Sequence, residues 1–321
     1  MHGSIRGRAR RAAGAVTAAA GAALIGWIVT TRGPEVLAAI SACPPWVIAG
    51  ATAAHLLTLA LRTEAWRTVL RGAGATRLDL GALHAANAGA FLAGTVQGHA
   101  AMPARIALLR RYGGEDSPSV AQIALGDAPI FMFEVCTTAL LAAAASTAVP
   151  VIPAWVPWAM LAGAIAVLAA LRVAYGRARR HRFVAGLGVL ASSDLRARLA
   201  LAVAGFTLLA LLRTWIVLVG FGLPSDPAHV CLVLFTMGTV GLLPLGVGTG
   251  PASTVAALGT TDLAAAAAAG MVVSAATVLS VLIYAGACWV WRARVPEPAP
   301  AEVIPLPVRP AEARAELDLA A

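Results

Sequence analysis

LAAAAAAGMVVSAATVLSVLIYAGACWVW, residues 263–291, contains no charged side chain. It is longer than the ~20 apolar residues that a helix needs to cross the hydrocarbon core of a bilayer. Further apolar runs that predict spans lie at 15–31, 46–61, 119–149, 154–173 and 199–221. These runs are continuous, whereas the strands of an outer-membrane barrel alternate apolar and polar residues. The sequence therefore predicts an all-α polytopic membrane protein with about six full spans.

The composition also indicates a membrane protein. Of the 321 residues, 60% are apolar and 12% are charged, and the mean hydropathy is +0.81. A soluble domain contains about 25% charged residues. No segment between the predicted spans has the length of a separate catalytic domain, so we expect any function to lie in the membrane part.

The residue types that carry out most enzyme chemistry are scattered. Four cysteines and six histidines show no CxxC or Cys/His spacing, so we expect no metal site and no cofactor. No Ser/His/Asp or Cys/His order stands out, so neither catalytic residues nor an enzyme activity are predicted. The net charge of +9 comes from 24 Arg and no Lys against 15 acidic residues. Basic loops between membrane spans set topology or contact anionic lipid, so nucleic acid is not expected as a partner.

Two shorter apolar segments, 80–96 and 229–245, are ambiguous. If both enter the membrane and return on the side of entry, every Arg except Arg32 and Arg213 falls in the cytoplasm. If both cross fully, the Arg-rich segment 172–198 falls outside, against the preference of basic loops for the cytoplasm. We therefore predict two re-entrant elements, with both the N-terminus and the C-terminus in the cytoplasm.

The predicted organisation has three parts. Residues 1–14 form a basic cytoplasmic N-terminus, and residues 15–294 form a transmembrane domain whose first span is an uncleaved anchor. Residues 295–321 contain six prolines among mixed charges. A segment of this composition does not bury a core, so we predict a disordered cytoplasmic tail.

The two ambiguous segments resemble each other. FLAGTV at 91–96 matches FTMGTV at 235–240 in four of six positions, and a Gly/Pro-containing break follows each. Three spans lie between the copies, so the copies enter from opposite faces, as in an inverted repeat whose broken helices build a central site. The residues that we expect to break the helices are Gly98, Pro103, Pro244, Gly246, Gly248 and Gly250.

Three ionisable residues lie inside predicted spans, where a charge is costly and is a functional candidate by default. Asp127 and Glu134 are seven residues apart, so they share one face of their helix. At ~1.5 Å per residue from the cytoplasmic ends, Glu134 lies ~22 Å deep and Arg213 ~21 Å deep. They could form a structural ion pair, belong to a substrate or proton site, or make no contact at all.

A second group of candidates consists of arginines at the predicted cytoplasmic face. Their guanidinium groups could bind lipid phosphate through bidentate contacts, although topology alone would also place arginines there. The group contains Arg62, Arg67, Arg105, Arg110 and Arg111.

Several of these residues lie in motifs that are known from one family. RTEAWRTVL at 62–70 resembles the R-x-x-x-W-R-x-x-L segment of the flippase-like integral membrane proteins related to the lysylphosphatidylglycerol synthase transmembrane region. Asn87, Gly98 with His99, and PARIALLRR at 103–111 resemble the Asn, the Pro/Gly break and the Arg-ended half-helix of that family. The break at 244–250 resembles its second Pro/Gly-rich break.

The resemblance covers residues 46–294 and implies a bacterial plasma membrane protein that moves a lipid between leaflets. On this hypothesis Arg105, Arg110 and Arg111 receive an anionic or modified head group, and Asp127 and Glu134 line or gate a polar path together with Arg213. One alternative is a proton-coupled secondary transporter of a small solute. Another is a non-transporting accessory subunit. The expected partners are membrane lipids and, for the accessory subunit, a lipid- or glycan-modifying enzyme.

Overall fold

The computed structural model describes residues 33–75, 79–96, 100–113, 117–149, 152–178, 180–241, 249–258 and 262–294. Over these residues the chain is helical and has no strand, which confirms the all-α fold. A helical segment at 33–41 precedes nine α-helices, and a 3-10 helix at Arg182–Leu190 lies between α5 and α6. The α-helices are α1 Pro45–Gly72, α2 Leu80–Val96, α3 Ala101–Gly113, α4 Val120–Ala145, α5 Trp155–Ala178, α6 Ser193–Gly220, α7 Pro227–Gly241, α8 Thr249–Leu258 and α9 Leu263–Arg294.

Five of the described helices are long and apolar enough to cross a bilayer, namely α1, α4, α5, α6 and α9. These five helices lie at the positions of the predicted spans that follow the one at 15–31. The first predicted span at 15–31, the N-terminus and the tail at 295–321 lie outside the described residues. Several helices extend beyond their apolar runs; α1 continues to Gly72, and α6 already begins at Ser193.

Side chains determine where several helices begin. Ser119 and Gln122 form a reciprocal capping box at the start of α4, in which each side chain accepts a hydrogen bond from the backbone amide of the other residue. The Ser192 hydroxyl caps α6 by accepting from the amide of Leu195. The Asp226 carboxylate accepts from the first free amides of α7.

Helices α1 and α6 pack along each other and form the centre of the molecule. Two clusters of buried apolar side chains follow this pair. One cluster surrounds Trp66 and Phe206, and the other surrounds Val47 and Val217. Helix α5 is the least buried of the five long helices and packs on α4 at the outside. The central pair therefore contributes to both of these buried clusters.

Each ambiguous segment forms a helix, and the next described α-helix of the chain packs on it. We call α2 with α3 hairpin 1, and α7 with α8 hairpin 2. The two ends of hairpin 1 meet at Arg292, near the end of α9. The Arg292 Nη1 lies 3.8 Å from the Asp79 Oδ2, and its guanidinium lies 4.2 Å from the Tyr112 ring centroid. The chain thus enters and leaves hairpin 1 at one end of the molecule.

Two of the expected helix-breaking residues lie inside helices. Pro103 is in the first turn of α3 and Gly250 is in the first turn of α8. A first-turn proline costs no hydrogen bond, because the amides of that turn have no partner within the helix. Pro103 and Gly250 therefore do not interrupt a helix. Gly98, Pro244, Gly246 and Gly248 lie outside the described residues.

The packing between the two halves is reciprocal. Helix α4 follows hairpin 1 and packs on α7 of hairpin 2, and α9 follows hairpin 2 and packs on α2 of hairpin 1. An inverted repeat has this exchange of partners. The repeat itself stays a prediction.

The 3-10 helix at Arg182–Leu190 is an element that the sequence did not predict. Leu187, Val189 and Leu190 are buried against α1 and α4. A Cβ on Gly188 would lie 2.0 Å from the Gly72 carbonyl oxygen, and a Cβ on Gly186 would lie 2.6 Å from the Gln122 carbonyl oxygen. Only glycine at these positions lets the segment pack directly against the helix ends.

Candidate functional site

A cavity of about 400 Å³ lies beside the central pair, between α1, α4, α6 and α7, with one residue from α5. Its described lining is apolar over most of its surface and includes Phe131, Met160 and Phe206. Among the polar lining residues are His55, Arg62, Glu134, Thr207 and Arg213. A cavity with an apolar wall and a few convergent polar groups is typical of a small-molecule site.

One wall of the cavity contains an ion pair. The Arg62 Nη2 donates to the Glu134 Oε1. The Arg62 guanidinium also lies 4.8 Å from the Phe206 ring centroid. Each of the two charged side chains is about one-third exposed, at 34% for Arg62 and 30% for Glu134. We expected Arg62 at the surface, but α1 continues past its apolar run and brings this side chain inside.

The cavity lining also contains Arg213, which is buried at 9% exposure. Its Nη1 lies 2.9 Å from the His55 Nδ1 of α1 and donates to the Thr277 Oγ1 of α9 at 3.0 Å. Its Nε is buried without a hydrogen-bond partner. Three helices thus meet at this guanidinium.

Of the three possibilities for Glu134 and Arg213, the structure excludes a mutual ion pair, since each side chain has another partner. The partners His55 and Arg62 are two turns apart on α1, so the two charges lie at different depths. The predicted depth of Arg213 was counted from residue 199, where the apolar run starts. Because α6 begins at Ser193, Arg213 lies ~30 Å along its helix, against ~21 Å for Glu134 along α4.

Arg105 lies outside the cavity in a second cluster. It is buried at 5% exposure, and its Nε donates to the Asn87 Oδ1 at 2.8 Å. Its Nη1 is 3.9 Å from the Asp127 Oδ1, and its guanidinium is 4.2 Å from the Trp66 ring centroid. Asp127 therefore faces hairpin 1 rather than the cavity that Glu134 lines. Arg105 is enclosed, so it is not available at the surface as we expected.

The other predicted arginines lie nearer the surface. The Arg67 Nη1 is 3.3 Å from the Glu64 Oε1, one turn earlier on the same helix. Arg110 and Arg111 are exposed on the last turn of α3. The five arginines that we grouped together thus occupy three different environments.

The comparisons with known proteins agree with the motifs. The family described as lysylphosphatidylglycerol synthase TM region matches residues 12–292. The chain belongs to this family. No curated protein and no solved structure matches the chain. Membership of the lysylphosphatidylglycerol synthase TM region family indicates a multi-pass membrane protein with a lipid-related function.

The structure brings together residues that carry the resemblance to the lysylphosphatidylglycerol synthase TM region family. Trp66 and Asn87 both contact Arg105, although the three residues lie on different helices. Arg62 lies one turn before Trp66 on α1 and points to the cavity. The family motifs therefore connect the packing of hairpin 1 with one wall of the cavity.

The candidate residues predicted from the sequence do not include His55 and Thr277, which contact Arg213, or Thr207, which lines the same cavity. His55 is seven residues before Arg62, and this spacing places both on one face of α1. That periodicity was an available signal. Thr207 and Thr277 lie on α6 and α9 within apolar runs, and no local pattern distinguishes them.

Proposed function

We propose that the protein is a lipid translocase-like membrane protein that handles an anionic or modified lipid. The observation that carries the proposal is the cavity, which places two arginines and an acid beside an apolar wall within membrane-spanning helices. A volume of about 400 Å³ suits a small molecule and is less than a whole phospholipid occupies. The head group would enter the cavity, and the acyl chains would stay in the bilayer.

The arrangement of charge supports a path from one surface. Exposed arginines at the ends of α1 and α3 offer a first contact to lipid phosphates, and they are Arg71, Arg110 and Arg111. Basic residues near a membrane surface attract anionic lipids. The cavity then supplies Arg62 and Arg213 farther along the central pair. Movement of a lipid along this path needs no enzyme activity and no cofactor, and membrane lipids are the partners.

The experiment is leaflet exchange of fluorescent lipids in liposomes that contain the purified protein, followed by dithionite quenching. Gly238 on α7 lines the cavity, and a Cβ there meets no atom within 4 Å. The position therefore has room for a Cβ, and the larger side chain of a Gly238→Leu variant should take up part of the cavity volume. We expect exchange above protein-free liposomes for the natural protein and near the protein-free rate for Gly238→Leu.

The matched control is Gly163→Leu on α5. A Cβ at Gly163 also meets no atom within 4 Å, and Gly163 is not part of the described cavity lining. Equal exchange by folded Gly238→Leu and Gly163→Leu would show that the cavity is not the path. Transport that follows a proton gradient and ignores lipid composition would replace the proposal with a secondary transporter. Absence of exchange together with copurification of a lipid- or glycan-modifying enzyme would replace it with an accessory subunit.

A further inference from the structure

We infer that the cavity selects a phosphate-bearing lipid of net charge −1 over a cationic, aminoacylated lipid, with Arg213 as the group that holds the phosphate. The inference rests on the proposed function, because it names the lipid class that the same cavity takes. It depends on three features of the cavity: a fixed guanidinium, an unsatisfied hydroxyl and the balance of charge.

The guanidinium of Arg213 is fixed by neutral partners. Both observed contacts use its Nη1, one to the His55 Nδ1 and one to the Thr277 Oγ1. Because arginine only donates, the His55 Nδ1 must accept, which leaves His55 neutral with its proton on Nε2. The Thr277 hydroxyl donates onward to the Val273 carbonyl at 2.8 Å. Arg213 therefore keeps its full charge, is held in place from two helices, and has no carboxylate partner among the described residues.

Two buried polar atoms of the cavity lining lack a partner. They are the Arg213 Nε and the Thr207 Oγ1, and Thr207 is only 3% exposed. A buried donor without an acceptor carries a desolvation cost that a hydrogen bond would remove. The oxygens of a phosphate accept several hydrogen bonds, and a guanidinium binds them in a bidentate, charge-assisted manner. Arg213 and Thr207 both line the cavity, so a phosphate bound there would bring acceptors to the side of the cavity where these two donors lie.

The charge balance determines which phosphate lipid fits. Among the described lining residues, Arg62 and Arg213 are cationic and Glu134 is anionic, so the lining has a net charge of +1. Glu134 already neutralises Arg62. A monoanionic lipid such as phosphatidylglycerol would neutralise the remaining charge of Arg213. A lipid whose head group carries an added amino acid would bring like charge into a site of low dielectric, where repulsion is strong.

The test measures binding separately from transport. Thermal unfolding of the full-length protein in detergent would be followed with added phosphatidylglycerol, phosphatidylcholine, lysylphosphatidylglycerol and, as a soluble source of the same chemistry, inorganic phosphate. We expect phosphatidylglycerol to stabilise the protein most and lysylphosphatidylglycerol least. Loss of charge-assisted hydrogen bonds in Arg213→Gln should weaken phosphatidylglycerol binding by about ten- to hundredfold. The control Arg198→Gln removes an exposed arginine of the same helix, which is paired with Asp194. It should leave the shift produced by phosphatidylglycerol unchanged.

A second variant keeps the test valid if Arg213→Gln fails to fold. Thr207→Val replaces an unsatisfied hydroxyl by a methyl group of the same shape. We expect it to raise the melting temperature of the lipid-free protein and to reduce the shift produced by phosphatidylglycerol. If Thr207 had only a structural role, Thr207→Val would change the melting temperature of the lipid-free protein but not the shift produced by phosphatidylglycerol.

Three outcomes would overturn the inference. They are equal shifts for phosphatidylglycerol and phosphatidylcholine, a preference for lysylphosphatidylglycerol, and an equal response to inorganic phosphate and lipid at the same concentration. The two proposals fail in different ways. Selective binding of phosphatidylglycerol without leaflet exchange would support the inference and reject translocation. Leaflet exchange without charge selection would support translocation and reject the inference.

Discussion

Arg105 carries a charge at a position where only 5% of the residue is exposed. Its guanidinium lies over the Trp66 ring, with the Asn87 oxygen at 2.8 Å and the Asp127 carboxylate at 3.9 Å. A cation–π contact is strongest when both partners are desolvated, and a planar guanidinium uses its face and its edge at the same time. Arg105 therefore joins hairpin 1 to α1 and α4.

We predict that Arg105→Gln lowers the free energy of unfolding by about 2–4 kcal/mol, because the stacking and the charged hydrogen bond are both lost. Arg105→Lys should recover only part of this loss, since an ammonium cannot stack and bridge in the same way. Thermal unfolding in detergent measures both effects. The control is Arg111→Gln, an exposed arginine of the same helix, which should stay within about 0.5 kcal/mol of the natural protein. Similar melting temperatures for Arg105→Gln and Arg111→Gln would refute the role of Arg105.

At the scale of single residues, the sequence predicted which charges lie in spanning helices, but not which partners they contact. Asp127, Glu134 and Arg213 are charges in spanning helices, and all three take part in polar contacts or line the cavity. Their partners depend on where each helix begins and how it is rotated about its axis. An apolar run does not contain this information. Because α6 begins before its apolar run, Arg213 lies farther along its helix than Glu134 lies along α4.

The approach of hairpin 2 to α9 depends on two glycines. A Cβ on Gly270 would lie 2.6 Å from the backbone of Gly250, and a Cβ on Gly250 would lie 2.6 Å from the Gly270 carbonyl oxygen. Small residues allow the backbones of membrane helices to pack closely. The value of Gly250 is thus the space that it leaves, rather than a break in the helix.

We predict that Gly270→Ala lowers the free energy of unfolding by about 1–3 kcal/mol, because backbone atoms must move to admit the methyl group. Gly286 is the matched control in the same helix, since a Cβ there meets no atom within 4 Å. Gly286→Ala should leave stability unchanged or raise it by up to about 1 kcal/mol, as alanine favours a helix over glycine. Melting temperatures of the two variants provide the comparison. Equal stability would mean that α8 and α9 separate at little cost.

The long apolar helices could be predicted from the sequence because a bilayer requires continuous apolar runs. The 3-10 helix at Arg182–Leu190 could not, because it lies in an Arg-rich connection. Its apolar residues are buried against distant helix ends rather than by a local pattern. The hairpins were predicted from the placement of arginine, whereas their second helices depend on packing within each hairpin.

In the part of the chain that the structure describes, several helix ends with terminal arginines lie together and form a basic end. The Gln122 side chain at the start of α4 donates to the Ala73 carbonyl just after α1, at 2.9 Å. Arg292 joins both ends of hairpin 1 to the end of α9. Arginines in the terminal turns of helices or next to them at this end are Arg71, Arg110, Arg111 and Arg292. Because basic residues are retained in the cytoplasm, we expect this end to face the cytoplasm.

Labelling of single cysteines tests this orientation and the return of hairpin 1 together. In a background without the four natural cysteines, Ala75→Cys and Ser117→Cys lie just before and just after hairpin 1, and Ser225→Cys lies between α6 and α7. Arg292 holds both ends of hairpin 1 at the basic end, so an impermeant maleimide should reach Ala75→Cys and Ser117→Cys only in inside-out vesicles. It should reach Ser225→Cys in intact cells, because α6 crosses the bilayer from that end. Labelling of Ala75→Cys and Ser117→Cys from opposite sides would mean that hairpin 1 crosses the membrane fully. The arginines at the ends of α1 and α3 would then lie on opposite sides, which would contradict the proposed lipid path.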